Sequence, residues 1–133
     1  MLKKDLELVL EERQVIESNY RKGWHHVGAS IRTSDGKIHT GIHLEANVGR
    51  IAICAEPIAL ANAILVGKHN YDTILPVKYP SPEKNRRRYE IASPCGNCRE
   101  IITDYYSKAK LIIQVKGKLK NALMTGLLPH KPV

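Results

Sequence analysis

The chain has 133 residues, 43% of them hydrophobic and 26% charged, a balance that fits one globular domain over 1–133 and excludes a disordered or fibrous chain. No apolar run approaches the roughly 20 residues of a membrane span, and the charged start Met1-Leu2-Lys3-Lys4-Asp5 lacks a signal-type apolar stretch, so a cytoplasmic protein is expected. Net charge is +8, with no Phe at all; the basic excess gathers in Arg86-Arg87-Arg88 and in the lysines from Lys108 to Lys131, read as solvated faces with a phosphate or nucleic-acid patch as the alternative.

Leu6, Val9, Leu10, Arg13 and Ile16 set out a helical stripe if Arg13 contributes only its stem, with a Glu-rich face left to solvent. Val27 to Arg32 and Lys37 to Leu44 flank Ser34-Asp35-Gly36, whose Asp-Gly pair predicts a two-stranded hairpin. Cys54 to Val66 is apolar nearly all round, which predicts a buried helix with Pro57 in its first turn and Gly67 at its end. Thr73 to Val77 reads as a covered strand. Pro76, Pro80 and Pro82, with the charged residues through Arg88, read as a long exposed loop or lid. Cys95 to Tyr106 then predicts a third helix and Leu111 to Val115 a buried strand, with Leu127-Leu128-Pro129-His130 as a tail packed on the body. Hairpin, helix, strand, helix, strand amounts to an α/β layered domain with a mixed sheet.

The three cysteines all fall at predicted helix starts, where free N–H groups and the helix dipole lower a thiol pKa. Cys95 and Cys98 lie one helical turn apart, so Cys54 from a neighbouring helix tip completes a tripod, and three soft thiolates select zinc. Three protein ligands leave a fourth tetrahedral position for water, as in catalytic sites; a closed structural site with His25, His26 or His43 as fourth ligand is the alternative. Glu56, two residues beyond Cys54, is placed to move protons beside the metal. Cys54-Ala55-Glu56 and Pro94-Cys95-Gly96-Asn97-Cys98 together match the zinc deaminase pattern in its three-cysteine variant.

On these residues the chain resembles the cytidine deaminase family, especially its small three-cysteine members, and is similar to blasticidin-S deaminases. The likeness runs from Val27-Gly28-Ala29 to Leu127-Leu128-Pro129-His130. It implies a three-layer α/β/α fold with a mixed five-stranded sheet, one zinc per chain, and a homotetramer, with a dimer as the alternative. It further implies hydrolytic deamination of a cytosine ring, with Glu56 carrying protons to N3 and the departing ammonia. By resemblance, the Ala55 N–H binds the ring carbonyl and the Ser93 carbonyl accepts from the amino group.

The family's Gly-x-Asn-x-Glu sugar segment reads Gly41-Ile42-His43-Leu44-Glu45 here, so the sugar glutamate is kept as Glu45 while His43 replaces the asparagine. His25 stands where a stacking Phe is usual, with Trp24 beside it. Pro57 and Glu100 occupy positions where relatives carry an arginine and a glutamine that offset thiolate charge, which leaves Arg99 or the helix dipoles to do so. The leading expectation is pyrimidine salvage on cytidine or deoxycytidine, followed by a modified cytosine nucleoside such as blasticidin S. A non-catalytic zinc-stabilised nucleic-acid-binding module is the third reading. Base editing in RNA or DNA fits poorly, because aromatics are few and Glu45 is retained.

Overall fold

The Asp35-Gly36 pair turns the chain as its chemistry allows. Gly36 takes a φ of +86°, and the Asp35 carboxylate accepts from Thr33 Oγ1 at 2.6 Å and from the Lys37 N–H at 3.2 Å. Strand β1 (Val27–Thr33) thereby folds back antiparallel onto β2 (Ile38–Ile42). The computed structural model describes residues 3–19, 21, 24–80 and 88–131. The proposed lid over 80–88, with Arg86 and Arg87, lies outside the described residues except for Pro80 and Arg88; Pro132 and Val133 lie outside them too.

Helix α1 (Lys3–Asn19) precedes the hairpin; α2 (Ala55–Leu65), β3 (Tyr71–Lys78), β4 (Glu90–Ile91), α3 (Gly96–Tyr105), β5 (Lys110–Val115) and β6 (Lys118–Leu123) follow. The strands form one mixed sheet in the order β2-β1-β3-β5-β6, with the two-residue β4 pairing β3 off that path; β3 and β5 are parallel and the other pairs antiparallel. The main path has the expected five strands, and β4 makes a sixth. Alternation along the strands then separates two cores. Ala29, Ile31, Ile74 and Leu111 pack with Ala59, Leu60 and Ala63 of α2 and Ile102 of α3. Leu75, Val77 and Ile112 turn the other way, onto Leu8 and Ile16 of α1. The result is the α/β/α layering expected of the chain.

Three local readings need correction. Of the predicted α1 stripe, Ile16 is buried and Val9 half-buried against the sheet beside Asp5 and Leu8, whereas Leu10 is 64% exposed, Arg13 lies on the surface with its guanidinium 4.4 Å above the Tyr89 ring, and the Leu6 side chain lies outside the described residues. The acid at position 5 hides this stripe from a hydrophobic count, because it is buried against Arg32. Helix α2 is likewise buried on one side only: Ala61, Asn62 and Leu65 are exposed, Leu65 at 82%. Pro76 belongs to β3, not to the loop, opposite Ala29. Its carbonyl accepts from the Ala92 N–H at 2.9 Å, so its nitrogen faces the same edge, in the gap between the β5 and β4 pairings, where a missing N–H costs no ladder bond.

On the α1 face, Arg32 donates to Asp5 Oδ1 at 2.8 Å, to Asp72 Oδ2 at 3.0 Å and to Thr73 Oγ1 at 2.9 Å, a buried charge with its partners in place. The tail packs as expected. A 3-10 turn over Met124–Leu127 follows β6, and Lys131 ties the end to α3 through Asp104 at 2.7 Å and Glu100 at 3.1 Å.

Candidate active site

Helices α2 and α3 each start on a cysteine with extended backbone: Cys54 at φ −63°, ψ 155° and Cys95 at φ −69°, ψ 169°. A thiol at such a cap sits beside N–H groups that have no intrahelical partner. The Cys95 Sγ takes one of them, the Cys98 N–H, at 3.5 Å. Gly41 sets where α2 lies. A Cβ there would come within 2.6 Å of the Ala55 carbonyl oxygen and 2.9 Å of the Ile58 carbonyl carbon, so only glycine lets the first turns of α2 rest on β2. That packing and the Leu44–Ile53 bridge bring Cys54 to the end of the sheet, opposite the tip of α3.

The three sulfurs meet there. Cys54 and Cys95 are 3.7 Å apart, Cys95 and Cys98 3.5 Å, and all three lie within 4.8 Å of one another. Thiolates held tetrahedrally at a Zn–S distance of about 2.3 Å stand about 3.8 Å apart, so the cradle fits one zinc per chain. Among the described residues the cluster is limited to these three; His25, His26 and His43 stay outside it.

Glu56, 4% exposed, sits in the first turn of α2 with Oε2 3.4 Å from the Cys98 Sγ. Burial pushes its carboxyl above the usual range. Burial first, and then the Glu56 charge, push the Cys98 thiol far up, and burial raises Cys54 as well. At Cys95 burial works in the same direction but is outweighed by hydrogen bonds from the backbone and side chain of Cys98, leaving that thiol below its ordinary value. Burial and mutual repulsion thus oppose ionising these acids together, and a divalent cation offsets both.

Cys54, Cys95 and Glu56 line a cavity of about 330 Å³. Ala55, Ser93, His43 and Glu45, all singled out in the sequence, line the same cavity. The wall also carries His26 and Lys78, which the sequence reading missed. Lys78 reaches it only because β3 pairs Lys78 with Val27, a long-range register without a local motif. Trp24 and His25 take other positions: the Trp24 ring lies under the Arg21 guanidinium at 4.6 Å, and His25 Nδ1 donates to the His43 carbonyl at 2.9 Å. Arg99 braces the segment before Cys95, donating to the Pro94 carbonyl at 3.0 Å, Ser93 Oγ at 3.1 Å and the Leu127 carbonyl at 3.0 Å. Its charge is thereby fixed next to the metal-binding loop.

Comparison with known proteins bears on this geometry. Residues 3–114 match the family described as the cytidine and deoxycytidylate deaminase zinc-binding region. A blasticidin-S deaminase of Bacillus cereus is 41% identical over 127 residues, covering 96% of this chain and 91% of the relative. A cytidine deaminase of Sporosarcina psychrophila is 27% identical over 105 residues, 77% of this chain and 71% of the relative. In three dimensions the fold is similar to the cytidine deaminases of Burkholderia pseudomallei (TM-score 0.75, 23% identity, 98% of each chain) and Mycobacterium leprae (TM-score 0.76, 21% identity, 98% of this chain and 100% of that one).

Proposed function

This chain belongs to the cytidine and deoxycytidylate deaminase family as a zinc-dependent deaminase, and we propose that it hydrolytically deaminates a modified cytosine nucleoside, with blasticidin S as the leading substrate. The observation that carries this choice is the 41% identity to a blasticidin-S deaminase along nearly the whole chain, together with a sugar-side wall built on His43 and Glu45. Cytidine or deoxycytidine, in pyrimidine salvage, is the second reading, favoured by the retained Glu45 and by the cytidine deaminase relative. The whole chain acts as one catalytic domain of a cytoplasmic homotetramer in either reading.

Cys54, Cys95 and Cys98 would hold the zinc, which supplies Lewis acidity at the closed end of the pocket when bound. Glu56 is the proton carrier: it takes a proton from the attacking water and returns protons to ring N3 and to the leaving amine, so that C4 gains oxygen and ammonia departs. Burial suits Glu56 to this exchange, since a carboxyl raised toward neutrality both accepts and gives up a proton readily. The Ala55 N–H, in the first turn of α2, binds the ring carbonyl, and the carbonyl of Ser93, a residue that Arg99 braces through its hydroxyl, accepts from the amino group. His25 and Trp24 shape the pocket from behind its wall.

Ammonia release from blasticidin S, cytidine, deoxycytidine and their monophosphates, on protein of measured zinc content, tests the proposal. The highest kcat/KM is expected for blasticidin S. Turnover of cytidine with blasticidin S untouched would establish the second reading instead, and silence on every cytosine compound at one zinc per chain would overturn both.

A further inference from the structure

We infer that His43 is a positioning residue: held in one tautomer by the neighbouring backbone, it orients the Glu45 carboxylate and acts on substrate only through it. The inference rests on the reading of the 43–45 wall as the part of the pocket that meets the sugar.

Residues 24–27 run alongside 43–45 and close on them at four points. The Glu45 N–H donates to the Trp24 carbonyl at 3.2 Å and the His43 N–H to the Val27 carbonyl at 2.8 Å. The His25 Nδ1–H donates to the His43 carbonyl at 2.9 Å, and the His26 N–H donates to His43 Nδ1 at 3.4 Å. The His26 and His43 rings also stack, with centroids 5.7 Å apart and planes 29° from parallel. A ring nitrogen that accepts from an N–H carries no proton, so the neutral His43 imidazole keeps its proton on Nε2.

That Nε2 lies 3.6 Å from Glu45 Oε2, an electrostatic contact longer than a closed hydrogen bond, while Glu45 Oε1 accepts from the Ala46 N–H at 3.0 Å. Both ring nitrogens are therefore engaged within the protein. The carboxylate, which can accept about four hydrogen bonds, keeps spare capacity at the pocket wall.

Zinc-loaded full-length protein tests this with the cytosine nucleoside it turns over best. His43→Asn keeps an acceptor for the His26 N–H and loses the donor toward Glu45, whereas His43→Gln can place a donor at the Nε2 position. His43→Asn is expected to raise KM about tenfold with kcat little changed, and His43→Gln to recover most of that loss. In a Glu45→Gln background the His43→Asn penalty should vanish, since the carboxylate it orients is gone. Independent, multiplying losses from the two changes would mean that His43 touches substrate itself, and would overturn the inference. A readout free of turnover is the side-chain nitrogen NMR spectrum of His43 in substrate-free protein. The Nε2–H tautomer supports the inference and the Nδ1–H tautomer overturns it, even if no cytosine nucleoside proves to be a substrate and the functional reading falls. Zinc content and Tm identify any variant that fails to fold.

Discussion

The two faces of the sheet bury charge in opposite ways. Against α1, the Arg32 guanidinium is met by two carboxylates, Asp5 and Asp72, and by the Thr73 hydroxyl, so that the buried charge is balanced within the protein. Against α2 and α3, the buried Glu56 and Cys98 face each other at 3.4 Å beside two further sulfurs, acid against acid. A protein tolerates acids gathered in this way where a cation is to bind. The closed face holds the fold together and the acidic face is completed by metal and substrate.

The largest effect that would break this contrast is loss of the cradle. Cys98→Ala should abolish ammonia release, take zinc content from one per chain to near zero and lower Tm, because metal binding contributes to folding. Retention of stoichiometric zinc would show that the tripod is not the binding site. Glu56→Gln comes next: zinc and fold should stay while kcat falls by about 10² to 10⁴-fold, the usual worth of a positioned proton carrier. A loss of less than tenfold would remove Glu56 from the chemistry.

On the closed face the prediction reverses. Arg32→Met takes the guanidinium away from buried Asp5 and should cost about 3–5 kcal/mol in denaturant unfolding, as broken buried pairs do. The folded fraction should still bind zinc and turn over normally. Activity per bound zinc that fell in step with stability would mean the two faces are coupled and not separate. Gly41→Ala tests the join between sheet and site. Its methyl group meets the backbone of α2, which should cost roughly 1–3 kcal/mol and, by shifting Ala55 and Cys54, reduce activity beyond the loss of folded protein.

The contrast also explains what could be read from the chain. The cradle was legible because its parts are local: Cys54 lies two residues from Glu56, Cys95 three from Cys98, and each pair opens a helix. The α1 face was not, since Asp5 and Arg32 find each other 27 residues apart, and an acid in the buried stripe disguises the helix period. Strand β6 escaped for a similar reason. Its Lys118-Leu119-Lys120 reads as a solvated charge run, yet edge pairing with β5 leaves those lysines exposed along a strand. Trp24 and His25, expected as stacking residues, do not line the pocket: His26 does, while His25 and Trp24 bond to the 43–45 segment, a placement set by long-range pairing and not by any local motif.

The smallest effect belongs to the hairpin turn, at the end of β1 and β2 away from the cysteine cradle. Lys68, at 2.6 Å, then Thr33 and the Lys37 N–H hold the Asp35 carboxyl well below the usual carboxylate range. A carboxyl whose pKa is depressed on folding stabilises the fold above its unfolded value, near pH 4, and that stabilisation is lost as pH falls through the depressed folded value. Asp35→Asn keeps an oxygen for the Thr33 hydroxyl and the Lys37 N–H, so it removes the charge and leaves the turn. The variant should melt slightly below the parent at neutral pH, and the gap should shrink as pH drops below about 4. It should also shrink in 1 M salt, where the screening length is about 3 Å. Zinc content and kcat should not move at all. A gap that stayed constant down to strong acid would assign the loss to turn geometry and not to the Lys68 pair, and a change in activity would connect this distant turn to the acidic face.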